Sequence, residues 1–96
     1  MKKIGKQGKI NEKANREIDR ILDSKGIMYC EIGLSGCTGT WGLTRAHRHK
    51  RIFYRSQPEK LWDFKQFALC CMSCHEQIER WAELTEEVFQ RLRGDE

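Results

Sequence analysis

The spacing of the cysteines constrains the possible folds of this chain more than any other feature. Cys30 and Cys37 form an upstream pair, and the motif CMSCH at 71–75 places a second pair directly before a histidine. Four thiolates that converge in a chain of 96 residues are better explained by one tetrahedral zinc site than by disulfides, because Zn²⁺ accepts four cysteine ligands without redox chemistry. The sequence therefore predicts a structural Zn²⁺ held by Cys30, Cys37, Cys71 and Cys74.

Three alternatives to this ligand set stay open. Cys70 offers a second register, Cys70-x3-Cys74, whereas in the Cys71 register a tight C-x-x-C turn lets backbone amides donate to the thiolates and leaves Cys70 as a small buried hydrophobe. His75 replaces one sulfur in the second alternative, a Cys₃His site. The third is c-type haem, which attaches to the same C-x-x-C-H motif but requires export and an axial ligand.

The length and the apolar content predict one small domain outside the membrane. A chain of 96 residues buries only a modest core, so a bound metal would add useful stability. The sequence contains no apolar run of about eighteen residues and no basic-then-apolar leader. An odd number of cysteines also argues against a secreted disulfide framework. We expect a cytoplasmic protein, a monomer or weak dimer, with reduced thiols.

Charge is distributed unevenly along the chain. Residues 1–27 carry eight Lys or Arg against four acids, residues 44–60 carry six against one, and residues 76–96 carry three against seven. Clustered cations favour a polyanionic partner, since they release counterions from a nucleic-acid backbone. The middle segment contains His47 and His49, so the sequence predicts that nucleic acid is bound there.

The pattern along the chain predicts an α+β domain. Residues 1–10 are predicted to be a flexible basic tail and residues 11–93 a single domain, whose N-terminal helix starts at Asn11 and stops at Gly26. Two strands are predicted, Trp41 to Arg45 and Ile52 to Arg55. The further predicted elements are a helix or tight turn from Glu59 to about Leu69, and a final helix with His75 in its first turn and Ile78, Trp81, Leu84, Val88 and Leu92 along one face.

In the order of these residues the chain resembles the HNH nuclease family, in particular its small zinc-stapled members from phages and mobile elements. The matching features are the upstream cysteine pair, Ala46-His47, Gln66 at the asparagine position, and the closing C-x-x-C-H. The resemblance covers about residues 27–85. It implies a ββα-metal core with flanking N- and C-terminal helices and a Cys₄ zinc site.

The resemblance also implies a function, the hydrolysis of phosphodiester bonds in DNA by a metal-dependent endonuclease. His47 is then the general base that activates water, Gln66 braces the loop that carries it, and His75 is a ligand of a catalytic Mg²⁺ or Mn²⁺. His49, on the same face if residues 47–49 are extended, and Asp63 are further candidate ligands. The candidate phosphate contacts are Arg45, Arg48, Lys50, Arg51 and Arg55. Packaging or recombination proteins of a phage are candidate partners.

Two residues favour an alternative without catalysis. Family members commonly carry Asp or His directly before the base, and here that position is Ala46, which cannot coordinate a metal. Gln66 has the asparagine's amide on a stem that is one methylene longer. The alternatives are a zinc-stapled nucleic-acid-binding or adaptor module and a protein-interaction domain that uses the acidic final helix.

Overall fold

The computed structural model describes residues 6–96, and over this range the chain is a small α+β domain. Its elements are α1 (Lys6–Ser24), β1 (Leu43–His47), β2 (Phe67–Cys71), α2 (Met72–Arg80) and α3 (Ala82–Arg93). Three 3₁₀ turns, Arg51–Tyr54, Pro58–Trp62 and Phe64–Gln66, lie between the strands. The predicted α+β class is confirmed, and β1, β2 and α2 follow one another in ββα order.

Helix α1 is amphipathic and longer than the sequence predicted. Ala14, Ile18 and Leu22 are buried at helical spacing, and the helix ends at Ser24, just before Gly26 turns the backbone at a φ of 68°. It starts at Lys6, so residues 6–10 of the predicted tail are helical, because Ile10 packs against a buried cluster built around Tyr54. The rest of the predicted tail, residues 1–5, lies outside the described residues.

The two strands pair antiparallel, with Leu43 opposite Cys71 and His47 opposite Phe67. The first strand lies two residues later than predicted. The predicted strand at 52–55 is wrong, because this segment is part of the 3₁₀ turn Arg51–Tyr54. The true partner, Phe67–Cys71, includes residues that were predicted to be helical.

Both faces of the sheet are covered by helices, which explains how a sheet of only two strands can be stable. On one face, Phe67 and Leu69 pack against Ile18 and Leu22 of α1. On the other face, Ala46 and Cys70 pack with Ile78 of α2 and Val88 of α3. Because β2 is buried on both sides, its sequence is apolar throughout and lacks the alternation that usually reveals a strand.

The predicted final helix is two helices with a break at Trp81. Trp81 has an extended backbone, φ −126° and ψ 106°, and its side chain is 62% exposed, so it does not belong to the predicted apolar face. Ile78 and Val88 of that face are buried. The hydroxyl of Thr85 donates to the carbonyl of Ile78, which satisfies an acceptor that the break leaves free.

Candidate functional site

Four of the five cysteines converge at one end of the sheet. The sulfurs of Cys30, Cys37, Cys71 and Cys74 all lie within 4.8 Å of one another. Cys30 and Cys37 come from the loop after α1, whereas Cys71 ends β2 and Cys74 lies in the first turn of α2. This cluster is the predicted ligand set, and it can hold a metal ion such as zinc.

Backbone amides point at the sulfurs, as the tight turn predicts. The amide of Leu34 donates to Cys74 Sγ at 3.3 Å, and those of Thr38 and Cys74 donate to Cys71 Sγ at 3.5 Å. Burial acts to raise the pKa of Cys71, but these amide hydrogen bonds outweigh it and lower the pKa to about 6.

The same closeness makes four simultaneous thiolates unfavourable without a cation. Burial, reinforced by the sulfurs of Cys71 and Cys30, raises the pKa of Cys74 to about 12. A divalent cation would remove this repulsion, because thiolates bind Zn²⁺ only after deprotonation. The donor set and its amide hydrogen bonds therefore fit a tetrahedral Zn²⁺.

Cys70 is not one of the four clustered sulfurs, although it packs beside them. It is fully buried on the other face of β2, and burial raises the pKa of its thiol far above the usual value. The structure thus places Cys71, and not Cys70, with the other three sulfurs.

His47 ends β1 and has a defined proton position. Its Nε2 lies 2.9 Å from the carbonyl oxygen of Leu61. A carbonyl only accepts, so Nε2 carries a proton and Nδ1 is the nitrogen of the neutral ring that can accept one. Burial lowers the pKa of His47 below 6.5, with a further decrease from the charges of Arg51, His75 and Arg45 and opposition from the Leu61 hydrogen bond. The ring is therefore neutral and basic at Nδ1 near pH 7.

A cavity of about 270 Å³ adjoins this ring. Its walls are the N-terminal half of α1 and the segment between the two strands. The polar groups that line it include His47, His49, Arg51, Arg55 and Asn11. A basic imidazole, a second histidine and two guanidinium groups in one concave surface are suited to an anionic ligand.

Gln66 braces the segment that follows His47. The backbone carbonyl of Gln66 accepts from Arg48 N at 2.8 Å, and its buried side-chain oxygen accepts from the Tyr54 hydroxyl at 3.0 Å. That hydroxyl accepts in turn from the backbone amide of His49 at 3.1 Å. Burial raises the pKa of Tyr54 to about 12, so the hydroxyl keeps its proton and can donate.

Gln66→Leu is expected to lower the free energy of unfolding by about 1–3 kcal/mol, because it leaves the buried Tyr54 hydroxyl without its acceptor. Urea denaturation would measure the loss. Adding Tyr54→Phe should recover part of it, since the stranded hydroxyl is then gone. A Gln66→Leu protein as stable as the parent would mean that the Gln66 side chain does not brace the segment.

The other candidate ligands of a catalytic metal are dispersed. His75 Nε2 lies 3.0 Å from Glu79 Oε1, one turn further along α2. His49 pairs with Glu96, and Asp63 caps a 3₁₀ turn by accepting from Lys65 N at 3.0 Å. Within residues 6–96, the four cysteines are the one group of three or more His, Cys, Asp or Glu side chains close enough to share an ion.

The five predicted phosphate contacts divide into two classes. Arg45 pairs with Asp19 of α1 at 2.6 Å, and Arg48 is only 7% exposed, between Glu96 and the ring of Phe89. Lys50, Arg51 and Arg55 are exposed, and none of them forms an ion pair within the described part of the chain. Of the five predicted contacts, these three are the cations without an ion pair in the described part of the chain.

Sequence reasoning missed Tyr54, Glu79 and Glu96. The i,i+4 spacing of His75 and Glu79 on a predicted helix was a usable indication that these side chains meet. Nothing in the sequence indicated that Tyr54 would contact Gln66, or that Glu96 would contact Gln66 and His49, because these contacts join residues 12 to 47 positions apart.

No protein-family model, curated protein or solved structure matches this chain. Among residues 6–96, the helices are too short or too polar to cross a membrane.

Proposed function

We propose that this chain is a metal-dependent DNA endonuclease of the HNH type, built on a ββα-metal core. The observation that carries the proposal is the state of His47. Its Nε2 donates to the Leu61 carbonyl, which leaves Nδ1 as the basic nitrogen, and the ring lines a cavity with two exposed arginines. That is the arrangement that a general base for phosphodiester hydrolysis requires.

In this mechanism His47 takes a proton from the attacking water at Nδ1. The lowered pKa keeps the ring neutral. The hydrogen bond to the Leu61 carbonyl acts to raise the pKa of His47, so it stabilises the imidazolium that forms. Gln66, through Tyr54, holds the backbone that follows the base. Lys50, Arg51 and Arg55 would bind the phosphates on either side of the scissile bond.

A divalent cation, Mg²⁺ or Mn²⁺, would supply stabilisation of the charge on the leaving oxygen. His75 and Glu79 fit such an ion best, because an imidazole nitrogen and a carboxylate oxygen already lie 3.0 Å apart on one face of α2. In this structure His49 and Asp63 are engaged elsewhere. The Cys₄ cluster would hold a structural Zn²⁺ that joins the loop at 30–37 to β2 and α2.

One observation favours a second function, a zinc-stapled nucleic-acid-binding or adaptor module without catalysis. Ala46 is 1% exposed and packs in the core beside Cys70 and Ile78, so this position offers no ligand and no room for one. The catalytic cation would then depend on two protein ligands. A module of this kind would keep the zinc cluster and the free cations and would still bind DNA.

Cleavage of supercoiled plasmid by zinc-quantified protein separates the two functions. The nuclease should nick the plasmid in Mg²⁺ or Mn²⁺ and leave it intact in buffer without an added divalent ion. Omission is preferable to a chelator, because a chelator would also compete for ions at the cysteine cluster. Intact plasmid under every condition, together with a clear gel shift, would reject the nuclease and support the binding module.

A further inference from the structure

The 3₁₀ turn after His49 exposes apolar side chains among free cations. We call residues 50–55 the basic turn. Ile52 is 69% exposed and Phe53 is 41% exposed. Lys50, Arg51 and Arg55 surround them and form no ion pair with any residue in the described range. Single exposed apolar residues need no explanation, but two in succession inside the most basic segment do.

Contacts of Tyr54 and Phe53 hold the basic turn in place. Tyr54 is 2% exposed, packs against Ala14 and Leu61, and donates its hydroxyl hydrogen to Gln66 at 3.0 Å. Phe53 stacks on the ring of His49, with the two centroids 4.0 Å apart. Ile52 is therefore the exposed tip of a turn whose neighbouring rings are held in place.

The tip lies beside the proposed catalytic cavity. Arg51 and Arg55 of the basic turn line that cavity together with His47 and His49. A DNA backbone bound by these arginines would therefore bring its bases close to Ile52. Positive charge next to an exposed aliphatic tip complements a duplex, which offers phosphates outside and apolar base stacks inside.

We propose that Ile52, backed by Phe53, inserts between adjacent base pairs of a DNA duplex whose phosphates are bound by Lys50, Arg51 and Arg55. The inference rests on the proposed action on DNA and adds a recognition element to it. Proteins that unstack and bend duplex DNA insert aliphatic or aromatic side chains in this way, next to cationic contacts with the backbone. Single-strand binders instead present free aromatic faces for stacking, and here His49 already covers one face of Phe53.

The test uses the full chain with a duplex that contains 2-aminopurine, a base whose emission increases when it unstacks, in buffer without added Mg²⁺ or Mn²⁺. The parent protein should increase the emission when it binds. Ile52→Ser should lose most of that increase at saturating protein while it keeps the salt dependence of binding. Arg51→Gln should do the reverse, with normal emission at saturation and a log–log salt slope smaller by about one.

Met28→Ser is the matched control, because Met28 is an apolar residue that is 70% exposed, like Ile52, and lies outside the basic turn. It should behave like the parent. Equal emission from Ile52→Ser and the parent would overturn the proposed insertion of Ile52 and leave the nuclease proposal in place. Tighter binding to a single strand, independent of Ile52, would also overturn it. A parent protein that binds no DNA would reject both the insertion and the proposed function.

Discussion

His47→Ala is expected to lower the rate of plasmid nicking by about 10²–10⁴-fold, the usual contribution of a positioned general base. The side chain lies at the end of β1, is half-buried and contacts the Leu61 carbonyl at 2.9 Å. Alanine removes the imidazole that would take the proton from water. Zinc content and circular dichroism should match the parent, because His47 is not one of the four clustered cysteines and pairs with Phe67, at the other end of the strand pair from Cys71.

His47→Gln removes the proposed base but keeps a hydrogen bond to the Leu61 carbonyl. A glutamine amide can donate to the Leu61 carbonyl but cannot take a proton from water at neutral pH. We expect it to be as inactive as His47→Ala. Nicking restored by glutamine would mean that His47 positions the chain and is not the base.

The pH dependence gives a second readout for the same residue. Because burial lowers the pKa of His47 below 6.5, the neutral ring is present from a lower pH than for an exposed histidine. The value of kcat/KM, which reports the free enzyme, should rise with pH, bend below pH 6.5 and then level off. A bend well above that value would contradict the assignment.

Cys74→Ala is expected to abolish both stoichiometric zinc binding and the cooperative unfolding transition. Cys74 is fully buried and belongs to the four-sulfur cluster. Losing one of four ligands lowers zinc affinity steeply, and in small zinc domains that affinity is folding free energy, about 10–16 kcal/mol in finger peptides. Metal analysis of dialysed protein and thermal unfolding by circular dichroism would measure the two losses.

Cys70→Ala provides the matched control. It is the same substitution at a cysteine that is also fully buried, and it lies next to the cluster without belonging to it. We expect full zinc content and a moderate loss of stability from the small cavity. Equal zinc loss in the two variants, or a folded Cys74→Ala protein with full zinc, would contradict the Cys₄ assignment.

The cysteine cluster was predictable, because it depends on the spacing of cysteines within short stretches of the sequence. A C-x-x-C at the start of a helix brings two sulfurs together whatever the rest of the chain does, and Cys71 also caps α2 by accepting from Cys74 N. The upstream pair required only a glycine-rich loop that can fold back. Gly36 shows this requirement, with a φ of 79° and a Cβ position 3.2 Å from the Ser73 hydroxyl.

The second strand was not predictable, because its position depends on contacts with segments that are far away in the sequence. Residues 52–54 have the aromatic and β-branched composition of a strand, yet Tyr54 is needed in a buried cluster with Ala14 and Leu61, and a 3₁₀ turn delivers it there. The actual strand, residues 67–71, is buried between α1 and the C-terminal helices. Its uniform apolarity fits a buried helix equally well when read alone.

A buried ion pair illustrates the same limit. Glu31, next to Cys30, meets Arg93 at the end of α3 at 2.8 Å, and the two side chains are only 7% and 4% exposed. Glu31 also accepts from the amide of Leu69 in β2. This contact ties the loop that carries Cys30 and Cys37 to the last helix, but the sequence shows only two ordinary charged residues far apart.

The sequence by itself determined the four sulfurs, the amphipathic first helix, the α+β class and the basic segment around His47. Each of these depends on spacing or composition within a short stretch. Only the tertiary structure decided which of five cations are free, that Leu61 sets the proton of His47, and that Gln66 reaches the loop through Tyr54. Those facts depend on contacts between distant segments, and burial, which changes charge pairing and pKa, exists only once those segments have packed.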